Sequence, residues 1–166
     1  LLDSMLRSFA VTPDYDLNLM RAGQTLAYTT SGVVCGVYDI LDSYRPDLVL
    51  VHGDTTTSFA AALAAFYRKI AVGHVEAGLR TWDMYSPFPE EMNRTLTSRL
   101  ATLHFAPTEH SRENLLREGI TQNISVTGNT ALDAFKYTVC DGYEFKSEAL
   151  RALDFDDKNV KYVVMT

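Results

Sequence analysis

The sequence is poor in cysteine: Cys35 and Cys140 are the only two in 166 residues. Two cysteines cannot build a disulfide framework and no CxxC is present, so the chain reads as one that folds in a reducing cytosol. No run of lysine or arginine occurs and the net charge is −6, which argues against a nucleic-acid-binding surface. That balance still admits an anionic ligand held by local backbone N–H groups. No apolar run approaches the ~20 residues that a membrane helix needs. The opening LLDSMLRSF lacks the architecture of a signal peptide. The dinucleotide fingerprint GxGxxG, the phosphate-binding loop GxxxxGK(S/T) and the GxSxG elbow are all missing. His52, His74, His104 and His110 follow no HxH or HExxH spacing, so no metal centre is expected.

What is there is the pattern of a soluble domain, 46% hydrophobic and 22% charged, long enough to bury a real core. Four short apolar runs, 47–53, 70–78, 102–108 and 124–129, are aliphatic or β-branched on both faces, as strands buried in a parallel sheet are. Helical patterns separate them: 24–44, closed by Arg45-Pro46; an Ala-rich 56–68; 89–101, opened by Pro89 and two acids; 109–118, with Thr108 or, second to it, Ser111 as N-cap and Gly119 as stop; and 130–139. This alternation predicts a doubly wound α/β sheet with parallel strands. From Cys140 to Asn159 the chain turns charged, with one short helical stretch at 146–153, and reads as a linker toward a strand at 161–166. The first residues resemble the middle of a helix and the last a strand cut short, so an upstream and a downstream segment are expected to be missing.

In an open α/β sheet, ligands bind beyond the carboxyl ends of the strands. There the first strand delivers His52-Gly53-Asp54-Thr55 and the second His74-Val75-Glu76-Ala77-Gly78-Leu79-Arg80. Taken alone, Asp54 reads as the cap of the next helix and Glu76 as half of an ion pair with Arg80 or Arg94. Carboxylates on neighbouring strand tips also form the pairing that proton abstraction and return require. SPFPEEMNR (86–94) supplies a rigid loop and two further acids, Glu90 and Glu91. Acids in a first helical turn are favourable with the helix dipole by about 0.3–1 kcal/mol, so this stretch by itself reads as a helix start. His52 and His74 read as core or supporting groups that orient the acids. VTGNT places Gly128, Asn129 and Thr130 at a strand–helix turn, which either meets an anion or simply caps a helix.

VHGDTTTSFAAALAAFYRKIAVGHVEAGLRT, YSPFPEEMNR and VTGNTALDA, with PDYDLNLM and GQTL near the start, together resemble the non-hydrolysing UDP-N-acetylglucosamine 2-epimerases of bacteria across residues 1–139. The resemblance implies the first half of a two-domain GT-B enzyme. Residues 1–139 would be a Rossmann-like domain lacking its first strand or strands, 140–160 the interdomain linker, and 161–166 the first strand of the second domain. The family's GTRPE and HRRE segments are absent, so these residues alone are not expected to catalyse. The implied reaction interconverts UDP-GlcNAc and UDP-ManNAc by anti elimination of UDP, a 2-acetamidoglucal intermediate and re-addition, without cofactor or metal. It would supply cell-envelope precursors in the cytoplasm, in a family that is commonly dimeric, so a homodimer is expected. The family's cleft carboxylates fall on Asp54, Glu76 and Glu90. Asp54 and Glu90 are assigned to proton transfer at C2, and Glu76 to the same work or to charge near C1. Glu91 is left to the helix. Gln24, His52, Arg80 and Asn129 are the expected substrate contacts. Gln24 matches a residue that, in some members, contacts a second UDP-N-acetylglucosamine acting as activator. Those members carry a basic residue where this chain has Gly23. The competing readings are a hydrolysing epimerase or another GT-B nucleotide-sugar enzyme, and a nucleotide-sugar-binding module without turnover.

Overall fold

Strands form where the aliphatic runs lie. β1 (Leu48–His52), β2 (Ala71–Val75), β3 (Leu103–Ala106) and β4 (Ile124–Val126) pair in parallel in the order β1-β2-β3-β4. The structure is a computed structural model that describes residues 2–155 and 157–163. The helices are α1 (Leu2–Ser8), α2 (Leu26–Tyr44), α3 (Thr56–Tyr67), α4 (Glu90–Leu100), α5 (Glu109–Arg117), α6 (Thr130–Thr138) and α7 (Glu148–Arg151). Each strand-to-strand crossover carries one helix, as parallel pairing requires. The predicted parallel α/β architecture is therefore what the chain adopts. Among the described residues no helix is long and apolar enough to cross a membrane.

α3 packs against β1 and β2 and lies between α2 and α4. Its Ala60, Ala62, Ala64 and Ala65 are fully buried, and side chains this small let neighbouring elements approach closely. Leu41, Val51, Ala62, Ala65 and Val72 form the core cluster. Each buried Val or Leu contributes about 1.5–3 kcal/mol. The caps follow local chemistry: Thr25, Thr55 and Thr108 accept from Tyr28, Ser58 and Ser111 amides to start α2, α3 and α5. Gly119, with φ +80, follows the end of α5 as expected. The cap of α3 is thus Thr55 and not Asp54, which leaves the Asp54 carboxylate uncommitted to the helix.

The chain divides into two compact units, Leu1–Thr130 and Ala131–Thr166. The sequence put a boundary after residue 139. The compact units meet at the start of α6, a helix with no buried residue. In the second unit Phe145 and Phe155 stack at 5.4 Å, Phe155 meets Tyr162 at 4.8 Å, and the Tyr162 hydroxyl donates to the Asp154 carbonyl at 2.9 Å. Of the strand expected at 161–166, residues 161–163 take no strand pairing and 164–166 lie outside the described residues.

Candidate functional site

The register sets two acids side by side. His52 faces Val75 across the β1–β2 ladder, and the Gly53 amide donates to the Val75 carbonyl at 3.0 Å. One step further along, each strand turns over its tip, β1 into Gly53-Asp54 and β2 into Glu76. Gly53 holds φ +72. A Cβ there would sit 3.3 Å from Glu76 Oε2, so the glutamate carboxylate rests against a turn that tolerates little more than glycine. Glu76 itself has φ +68. Non-glycine residues held in the left-handed region cost on the order of 1–3 kcal/mol and cluster at functional sites.

Asp54 is held at two points, and the turn before it at a third. The Asn93 amide donates to its carbonyl at 2.9 Å, and Arg94 Nη2 lies 3.4 Å from its carboxylate Oδ2. Behind the turn, His74 Nε2 meets the Gly53 carbonyl at 2.8 Å. A carbonyl can only accept, so Nε2 carries a proton, and it is burial that keeps the ring neutral near pH 7. Burial lowers the His74 pKa to about 4, opposed by this hydrogen bond and helped by the nearby charges of His104, Arg80 and His52. His104, its neighbour across the β2–β3 ladder, is lowered too, by burial and then by Arg80.

α4 supplies the third acid. Pro89 caps the helix and Glu90 and Glu91 fill its first turn. Their side chains diverge. Glu91 is 3% exposed, and its Oε1 accepts the Thr81 and Trp82 amides at 3.0 Å each. Its Oε2 lies 3.2 Å from Arg94 Nε. Glu90 is half-buried, and among the described residues its carboxylate makes no hydrogen bond or ion pair; the same holds for Glu76. The ion pair expected between Glu76 and Arg80 or Arg94 is absent, because both arginines are engaged elsewhere.

The expected substrate contacts fall in different places. His52 Nε2 lies 3.0 Å from Thr130 Oγ1. The turn after β4 therefore reaches back to the β1 tip, carrying Asn129 beside it, although β2 and β3 lie between those strands. Arg80 is instead spent inside the fold. Its side chain is 1% exposed, and its guanidinium makes paired bonds of 2.7 and 2.8 Å to Glu118, with further bonds to Ser98 Oγ and the Leu79 carbonyl. Gln24 turns onto its own loop, accepting the Arg21 amide at 2.9 Å and contacting Met20 Sδ. Asn93 has no role in the sequence reading, and Arg94 enters it only as a possible partner of Glu76, whereas the structure pairs it with Asp54 and Glu91. The signal was helical spacing, since Arg94 lies three and four residues beyond the two glutamates. Among the described residues no cluster of His, Cys, Asp or Glu could hold a metal ion.

Comparisons with known proteins bear on the family and the fold. The family model for UDP-N-acetylglucosamine 2-epimerase matches residues 1–166. A UDP-N-acetylglucosamine 2-epimerase of Escherichia coli K12 is 51% identical over 170 residues, covering 100% of this chain and 45% of its own length. The UDP-GlcNAc 2-epimerase of Neisseria meningitidis, solved bound to UDP-GlcNAc, superposes with a TM-score of 0.80 at 55% identity, covering 82% of this chain and 37% of that one. The Methanocaldococcus jannaschii UDP-GlcNAc 2-epimerase, in complex with UDP-GlcNAc and UDP, gives 0.76 at 41% identity, over 81% of this chain and 36% of its own. The chain thus spans less than half the length of the curated relatives it matches. On the full-length family match and these identities, the chain belongs to the UDP-N-acetylglucosamine 2-epimerase family.

Proposed function

We propose that this chain supplies the proton-transfer half of a non-hydrolysing UDP-N-acetylglucosamine 2-epimerase, which interconverts UDP-GlcNAc and UDP-ManNAc. The observation that supports the reading is that Asp54 and Glu76 follow two adjacent strand tips, and that α4, whose first turn carries Glu90, holds Asp54 through Asn93 and Arg94. Glu76 and Glu90 keep carboxylates free of other partners among the described residues. The C2 proton of the sugar is not acidic, since no carbonyl adjoins C2, so its removal needs a positioned base. In the proposed elimination one carboxylate takes that proton, the C–H electron pair becomes the C1=C2 bond, and the C1–O bond breaks with its pair leaving on UDP. A UDP oxygen then adds back to C1, and a second acid returns a proton to the opposite face of C2. Asp54 and Glu90 are assigned to the two transfers, and Glu76 to the same work or to the positive charge that develops near C1.

The test is product analysis in D2O, using a protein of the relatives' full length that carries this segment. UDP-ManNAc labelled with one deuterium at C2 is the expected product. Free N-acetylmannosamine plus UDP would overturn the non-hydrolysing assignment. Asp54→Asn should lower kcat by about 10²–10⁴-fold, and undiminished turnover would refute the role given to Asp54.

A further inference from the structure

We infer that Arg94 is a positioning residue for Asp54, and that the buried Glu91 fixes Arg94 in place. The inference rests on the epimerase reading above and adds two residues to its machinery. α4 holds Asp54 twice over. Asn93 bonds its carbonyl at 2.9 Å and Arg94 reaches its carboxylate at 3.4 Å. Consecutive residues of one rigid helix thus set both the backbone and the side chain of the proposed proton-transfer group, from the same turn that presents Glu90.

The two buried arginines of this region differ in how their guanidinium groups are used. Arg80 is saturated, with two short bonds to Glu118 and one each to Ser98 and Leu79. Such an arginine is a structural brace. The Arg94 side chain is 10% exposed, yet its contacts are all long: 3.4 Å to Asp54, 3.2 Å to Glu91 and 3.5 Å to the Glu90 carbonyl. Glu91 Oε2 is buried and has no hydrogen-bond partner, so its approach to Arg94 is a charge contact without hydrogen-bond geometry. One guanidinium is shared between two carboxylates. Glu91 is itself pinned by the Thr81 and Trp82 amides and cannot follow if Arg94 moves. Arg94 is therefore held against a fixed anion on one side and steers a more exposed one, Asp54, on the other. The tandem glutamates divide the labour: Glu90 is offered to substrate and Glu91 anchors the arginine that aims Asp54.

The experiment compares Arg94→Lys, Arg94→Ala, Glu91→Gln and Asp54→Asn in a protein of the relatives' full length carrying this segment. It measures kcat and KM for UDP-GlcNAc and the melting temperature. Misplacing a reacting group by about 1 Å costs about 10²-fold. Arg94→Lys should therefore lower kcat by about that factor with KM within about twofold, because lysine keeps the charge but loses the planar reach to both carboxylates. Glu91→Gln should move kcat in the same direction. Added guanidinium ion should restore part of the Arg94→Ala activity, which loss of a mere brace would not allow. Arg94→Lys turnover within about threefold of the parent overturns the inference. So does a loss that tracks the melting temperature and resists guanidinium. If Asp54→Asn keeps full turnover, the epimerase reading of this site fails; if it is inactive while Arg94→Lys is not slowed, only the present inference fails.

Discussion

Acidification from pH 7 to pH 4 should weaken this protein, chiefly through the His74 ring. The side chain is fully buried, its Nε2–H donates to the Gly53 carbonyl at 2.8 Å, and its Nδ1 has no partner. A proton on Nδ1 would place a cation in the core with nothing to receive it, which is why burial lowers the pKa from 6.5 to about 4. In the unfolded chain His74 binds a proton as pH falls through about 6.5. In the folded chain it stays neutral until about pH 4. The unfolded state therefore binds more protons across that window. The stabilisation is complete above pH 6.5, falls by up to about 1.4 kcal/mol per pH unit, and is gone below 4. Integrated over the window, the loss is about 3 kcal/mol. His104 shifts in the same direction and adds to it. Urea denaturation at half-unit steps from pH 7.5 to 4, on the parent and on His74→Gln, isolates the effect. Glutamine can still donate to Gly53 but does not titrate. The difference in unfolding free energy between the two should shift by about 3 kcal/mol across the window, with carboxylate contributions common to both cancelling. Parallel curves would refute the reasoning.

Other substitutions test the frame around the site. Arg80→Ala should cost about 3–5 kcal/mol in urea denaturation by leaving Glu118 unpaired in a largely buried setting, and adding Glu118→Ala should recover part of that loss. Gly78→Ala should lower the melting temperature sharply, because the new Cβ would fall 2.1 Å from the Ser111 carbonyl oxygen at φ +90; an unchanged melting curve would contradict that packing. Thr108→Ala removes the side-chain cap of α5 and should cost about 1 kcal/mol, read from the same denaturation curves.

Strands and caps were legible because their causes are local. Aliphatic runs such as LVLVH and AVGHV have no other way to bury both faces, and Thr108 and Gly119 are end signals that act within a few residues. The strand-tip position of Asp54 and Glu76 followed from that pattern. Whatever depends on a partner far along the chain was not legible. Arg80 finds Glu118 38 residues on, and that spacing carries no periodic signal. The left-handed backbone of Glu76 could not be read either, since glutamate has no intrinsic preference for it and tertiary packing imposes it. Asp54 was first read as a helix cap because Asp caps as well as Thr does. In the fold Thr55, one residue on, takes the cap and Arg94 takes the carboxylate. Gln24, assigned to a ligand by resemblance, also accepts the Arg21 amide within its own turn, a contact the sequence reading did not foresee.

The helix that begins at Glu90 also works as an angular clock. Successive residues differ by about 100° around its axis, and the phase is set downstream, where Asn93, Thr97 and Ser98 are buried. A residue added to the loop before Pro89 would leave that phase untouched. One residue inserted between Glu91 and Met92 is different. It would rotate Glu91 into the direction Glu90 now occupies and set the newcomer opposite Arg94, at the place where a buried anion now stands. The distance along the chain from the glutamates to Asn93 and Arg94 is therefore a fixed quantity of this architecture, even though every residue in it lies on the same helix.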